Sequence, residues 1–163
     1  MAGESTAEYR FGDLIALARW SWLGQMTSRL ERLGYAGYRR GDAAVLRMLW
    51  PDPLPVGRLG ASLGVTRQAA RKVADGLVQR GYATTERDVQ DTRQLNVTLT
   101  QLGRDYAVAV AAVIAELNRE VAGRVSADQL TAADAVLRAA LFDDSARRRA
   151  SRVPQPSENL PPK

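Results

Sequence analysis

The chain has 163 residues, with 23 Lys plus Arg against 18 Asp plus Glu and a formal charge of +5. It contains neither Cys nor His, which excludes a disulfide framework, a thiolate metal site, a cysteine nucleophile and the usual imidazole base or ligand. Its length suits one domain with a real core, and its basic balance, with a pI of about 10.1, suits a polyanionic partner.

Lys occurs only at positions 72 and 163, so Arg supplies nearly all the positive charge. Arg is the better fork for phosphates and guanine edges, but genome base composition also produces such a bias, so the bias alone decides nothing. Residues 1–10 are polar and acidic, without the charged start and apolar run of a signal peptide. The longest apolar run, 106–115, is too short to cross a bilayer. The expectation is a soluble cytoplasmic protein with no membrane partner.

A first helix is expected over 11–33, where Phe11, Ile15, Ala18, Trp22, Met26, Leu30 and Leu33 follow steps of three and four. Leu14, Leu17 and Leu23 broaden that stripe beyond the needs of a surface helix, so it should be covered on more than one side, as at a dimer interface. Asp42 can cap a second helix through about Trp50, with Ala44, Val45, Met48 and Leu49 apolar. The run Pro51-Asp52-Pro53-Leu54-Pro55 stops it, and Pro55 suits the first turn of a third helix ending near Leu63.

Residues 59–99 organise the chain. Gly64-Val65 makes a turn, and Thr66 is a natural N-cap for a second, basic helix. Ala70, Val73, Ala74 and Leu77 give that helix one buried stripe, and Gly81 stops it. Two extended segments follow, 82–87 and 94–99, around a polar loop carrying Asp88, Asp91 and Arg93. In the second, Leu95, Val97 and Leu99 alternate with Asn96 and Thr98, the period of a half-buried strand. Helix, tight turn, basic helix and charged hairpin, in that order, describe a winged helix-turn-helix over about 42–99. Thr100 can then cap a long helix over 101–123, with Leu102, Tyr106, Val110, Val113, Leu117 and Val121 as its stripe. Ser126 to Gln129 form a capping-box signature opening a last helix through Phe142, carried by Leu130, Ala133, Leu137 and Leu141. Residues 147–163, basic and then rich in Pro and Ser, are expected to be a disordered tail, with the Arg147 to Arg152 cluster a solubilising helix end. No internal repeat or second domain is visible within 1–146.

The same residues carry a family resemblance. Residues 59–66, LGASLGVT, resemble the LAxxLGVS approach to the recognition helix of MarR-family transcriptional regulators. Residues 77–82, LVQRGY, resemble their LxxRGYV exit. Asp91-Thr92-Arg93, followed by 95–100 and Gly103, resembles their DxR…VxLTxxG wing and return. Each motif is weak alone; in this order and spacing they are strong, and the likeness extends loosely over 11–144. It implies a mainly α fold with a small β-wing, the helices at 11–33, 101–123 and 126–144 intertwining with those of a second copy. It further implies a repressor that binds a pseudo-palindromic operator as a homodimer, with no catalytic residue, cofactor or metal.

A helix entering the major groove presents polar side chains from its first turns. Here these are Thr66, Arg67, Gln68, Arg71 and Lys72, with Ala69 small enough for close approach or for a thymine methyl. Gln68 can pair with an adenine edge, and Arg67 or Arg71 with guanine; which of them read bases and which hold phosphates is left open. The bland alternative is a solvated helix face. Arg87 and Arg93 flank the wing, and the resemblance makes Arg93 the arginine that enters the minor groove, with Asp91 orienting an arginine or the turn. The alternative there is a charged turn pinned by an Asp–Arg pair. Thr92 stands where a second basic residue often sits in the family, which weakens the wing's hold on phosphate. The resemblance also implies a small aromatic effector, for which Trp20, Trp22, Tyr35, Tyr38 and Trp50 are candidate lining residues; the alternative is plain core. Two other function classes remain: a winged-helix module that docks protein and has no operator of its own, and an enzyme, for which the chain lacks every common nucleophile–base set.

Overall fold

The computed structural model describes residues 10–89 and 91–142. In chain order these form α1 (Phe11–Arg32), α2 (Asp42–Leu49), β1 (Leu54–Pro55), α3 (Val56–Leu63), α4 (Arg67–Gln79), β2 (Ala83–Arg87), β3 (Leu95–Leu99), α5 (Gln101–Ala122) and α6 (Ala127–Ala139). The expected tail at 147–163 lies outside the described residues. The chain divides into two compact units, Met1–Tyr38 and Arg39–Lys163.

In the first unit, α1 buries Met26 and Leu30, whereas Phe11, Leu14, Ile15, Leu17 and Trp20 are exposed. The broad apolar stripe therefore exists, and its N-terminal half is bare in a single copy. Gly34, at φ +88°, takes the left-handed conformation that ends the helix, and the Tyr35 amide reaches back to the Leu30 carbonyl at 2.8 Å, a Schellman-type closure.

The second unit begins with a correction. Asp42 is not the cap of α2 but its first residue, preceded by Gly41. Its side chain is 2 % exposed and accepts hydrogen bonds from distant segments, so it is unavailable to the α2 amides. Val45, Leu46 and Leu49 bury the inner face of that helix. Pro55 is likewise one position earlier than expected: it is the N-cap of α3 and closes β1. That two-residue strand was not anticipated, because a stretch bounded by prolines reads as a stop. It survives as an edge strand, where a missing N–H is tolerated. Leu54 pairs with Val97 and Pro55 with Asn96, and the sheet order is β1-β3-β2, antiparallel throughout. Val97 and Leu99 point into the core, as the alternation indicates.

Gly64 ends α3 at φ +63°, and Thr66 caps α4 by accepting from the Ala69 amide at 3.2 Å. The two helices meet closely at Gly60, where a Cβ would stand 3.3 Å from that of Ala70. In α4 the buried residues are Ala70, Ala74, Gly76 and Leu77. Val73 is only half-buried, which corrects its place in the buried stripe, and the Arg39 guanidinium lies over Gly76.

Thr100 caps α5, accepting from the Gly103 amide at 3.0 Å while donating to the Gly81 carbonyl at 2.7 Å. Tyr106, Val110, Val113 and Leu117 are buried as expected, together with Ala107. Leu102 and Val121, at the two ends of the predicted stripe, are exposed, and α5 packs against α2 and β3. Ser126 and Gln129 form the expected capping box of α6. That helix ends at Ala139 rather than Phe142, because the next amides tighten into i−3 bonds, Leu141 to Arg138 at 3.0 Å among them. It buries no residue.

Gly103 has no room for a side chain, since its Cβ would strike the backbone carbonyl of Tyr82. Gly103→Ala should therefore destabilise the fold by at least the ~1–3 kcal/mol typical of overpacking, read as a lower urea midpoint. A midpoint equal to wild type would contradict this close approach.

Candidate nucleic-acid interface

The turn at Gly64 and the Thr66 cap deliver the first two turns of α4 to the surface. Thr66, Arg67, Gln68, Arg71 and Lys72 are all exposed, and Ala69 is half-buried. With three cations over its first two turns and no acidic residue in the first, this front carries positive charge beside the positive end of the helix dipole.

Two of those cations are held by the chain itself. Arg67 Nη2 donates to the carbonyl of Arg93 at 3.0 Å, which ties the start of α4 to the wing. Arg71 Nε donates to Asp75 Oδ1 at 2.8 Å in an exposed i,i+4 pair. That carboxylate pre-orients the guanidinium along the helix through one of its five N–H donors. The Arg67 contact has no signal in the sequence pattern, whereas the Arg71/Asp75 spacing is the usual one for such a pair.

The wing is a turn organised by two carboxylates. Asp91 Oδ1 accepts from the Arg93 amide and Oδ2 from the Gln94 side chain, both at 3.0 Å. Asp88 accepts from the Asp91 amide at 3.0 Å and from Asn96 Nδ2 at 2.9 Å. Asp91 thus works on the turn backbone, as one of its two expected roles required. Arg93 and Arg87 are exposed, Arg93 projecting from a loop whose main chain is pinned on both sides.

Between the wing and α3 lies a groove of about 250 Å³, lined by Pro55, Val56, Arg58, Arg67, Gln94 and Leu95 among others. Arg58 and Gln94 were missed by sequence reasoning, since neither belongs to a motif; they join Arg67 in the groove lining only in the folded chain. The aromatic residues considered for an effector do not line this groove. In the first unit Trp20 is 78 % exposed, and Trp22, Tyr35 and Tyr38 are half-buried. In the second, Trp50 is half-buried, with the Arg104 guanidinium 5.8 Å from its ring centroid and donating to its carbonyl at 3.3 Å.

Behind the exposed front, the far end of α4 is anchored in the interior. Arg80 Nη1 and Nη2 donate to the two Asp42 oxygens at 2.7 and 2.9 Å. The Tyr106 hydroxyl donates to Asp42 Oδ2 at 2.8 Å, and the Arg39 amide does so at 3.0 Å. Burial, reinforced by the Asp42 charge and hydrogen bond, pushes the Tyr106 phenol far above its ordinary range, so it remains a donor at every ordinary pH. The hydrogen bond that Arg80 donates to Asp42 raises its own pKa further, against the opposing effect of burial.

No family profile and no curated protein matches the chain. Solved structures do. The chain is similar to the S. aureus MepR–DNA complex, with a TM-score of 0.68 at 19 % identity, over 80 % of this chain and 95 % of that one. It is similar to a mutant of E. coli MarR complexed with operator DNA, with a TM-score of 0.65 at 20 % identity, over 80 % and 92 %. A probable transcriptional regulator from Pseudomonas aeruginosa gives 0.64 at 22 % identity, over 78 % and 94 %. At such identities the likeness is one of fold: the chain has the winged-helix fold of the MarR-type regulators.

Since Arg71 and Lys72 are exposed and an i,i+4 pair contributes only ~0.3–0.5 kcal/mol, replacing either by Ala should leave the melting temperature nearly unchanged. Affinity for a specific duplex should fall by ~1–3 kcal/mol for a base contact. Gel-shift titration of each variant checks this, and wild-type affinity in both would show that the front of α4 is misassigned.

Proposed function

We propose that the chain is a sequence-specific regulator of transcription that binds double-stranded DNA as a homodimer, with α4 in the major groove and Arg93 of the wing at the adjacent minor groove. The observation that carries this reading is the exposed cationic front of α4, tied through Arg67 to the Arg93 carbonyl, in a fold shared with proteins solved on DNA. Thr66, Arg67, Gln68, Ala69, Arg71, Lys72, Arg87 and Arg93 face the duplex, and Asp91 holds the wing.

Dimerisation is supported by the bare apolar surfaces. α6 buries nothing, and Leu130, Val136 and Leu137 on it are exposed, as is the N-terminal half of α1. Such patches call for a covering surface, and a second copy supplies one of matching character. Two recognition helices in a closed dimer read half-sites about one turn, or ~10 bp, apart. Occupancy of a promoter by that dimer blocks transcription, hence a repressor. A small aromatic effector held by Trp20, Trp22, Tyr35, Tyr38 or Trp50 regulates it only by favouring one spacing of the recognition helices over another. No helix of the described residues is long and apolar enough to cross a membrane, which fits a cytoplasmic site of action.

Binding to duplex from its own promoter region should weaken steeply with salt, with log K falling by about 0.9 per log unit for each phosphate neutralised. A salt titration followed by fluorescence anisotropy measures that slope. A flat dependence would oppose the reading, and no shift of any promoter duplex would favour a winged-helix module that docks protein instead.

A further inference from the structure

Asp42, Arg80 and Tyr106 form a hydrogen-bonded cluster around a buried carboxylate in the second unit, and contact with DNA makes no use of it. We propose that these three are positioning residues that set the pitch of α4 relative to α5, and so decide how well two recognition helices match the spacing of a palindromic site. The assignment rests on the DNA-binding reading above.

Its geometry is that of a joint. Asp42 Oδ2 receives three donors from three segments: the Arg39 amide ahead of α2, Arg80 at the end of α4 and the Tyr106 hydroxyl of α5. Arg80 also donates through Nε to the Gly76 carbonyl of its own helix at 2.9 Å, and its guanidinium lies 5.3 Å from the Tyr82 ring centroid. Tyr82 in turn stacks on Tyr106, with centroids 4.1 Å apart and planes at 14°. A planar fork bonded at both tines resists rotation in a way that apolar contacts do not. The lever is long, because ~13 residues at ~1.5 Å rise separate Arg80 from the front of α4, about 20 Å. A tilt of ~10° at the anchored end then shifts that front by ~3.4 Å, the rise of one base pair.

Tyr106→Phe tests this with little disturbance, since it keeps the ring stacked on Tyr82 and deletes only the hydroxyl. Arg80→Lys, which keeps charge but loses the fork, gives the same comparison should the first variant fail to fold. Dissociation constants are measured for the full palindrome, for duplexes with half-sites moved by one base pair, and for a single half-site, alongside thermal melts. The expected result is a loss of about tenfold in preference for the palindrome over the half-site, the scale of one charge-assisted hydrogen bond, with half-site affinity held within about twofold. Discrimination between the spacings should narrow as well. An unchanged ratio, or half-site and palindrome affinities falling together in step with the melting temperature, overturns the positioning role while leaving the regulator reading intact. A wild-type protein that prefers no duplex overturns both.

Discussion

The second unit depends on one buried carboxylate. A charge with a side chain only 2 % exposed is tolerable only when paired and hydrogen-bonded, and removing one partner of such a pair costs of order 3–5 kcal/mol. Asp42 meets that requirement by drawing together residues 38 and 64 positions away, Arg80 and Tyr106. The start of α2, the end of α4 and the second turn of α5 are thereby held at one point, and Gly81 (φ +76°) turns the chain directly afterwards into Tyr82, whose ring stacks beside it. A fork bonded to both carboxylate oxygens fixes direction as well as distance, and the consequence is a fixed angle between helices.

With one end of α4 anchored, the other end is free to carry function. The turn at Gly64 and the Thr66 cap place polar side chains outward, and the chain then restrains two of its cations: Arg67 on the wing carbonyl, Arg71 on Asp75. Side chains held before contact lose less entropy on binding. The wing is held in the same manner, by carboxylates that bond its main chain. Interior anchor, exposed front and pinned wing form one mechanical unit, in keeping with the proposed reading of a duplex.

Much of this was legible in the sequence, where local chemistry decides the outcome. Thr66, Thr100 and Ser126 were readable as caps because a hydroxyl at a helix start has one dominant use, and Gly64 and Gly81 as stops because left-handed backbone favours glycine. The alternation at 95–99 announced β3. What escaped depended on residues far apart. Asp42 looked like a cap because the same residue type at a helix start serves that end; only the folded chain brings Arg80 and Tyr106 to it. The pairing that makes β1 from a proline-bounded dipeptide is supplied by β3, and Arg58, Arg67 and Gln94, apart in sequence, line one groove. Val73 was assigned to the buried stripe by spacing alone, and the folded chain leaves it half-buried.

The central claim is that the front of α4 occupies the major groove in two copies at once, and guanine N7 atoms lie in that groove. Methylation protection of a bound promoter duplex therefore tests it most directly. The account predicts two protected sets of guanines centred ~10 bp apart on one face of the duplex, with N7 reactivity restored at both by Arg71→Ala. Specific binding that leaves every guanine N7 open to methylation would contradict it.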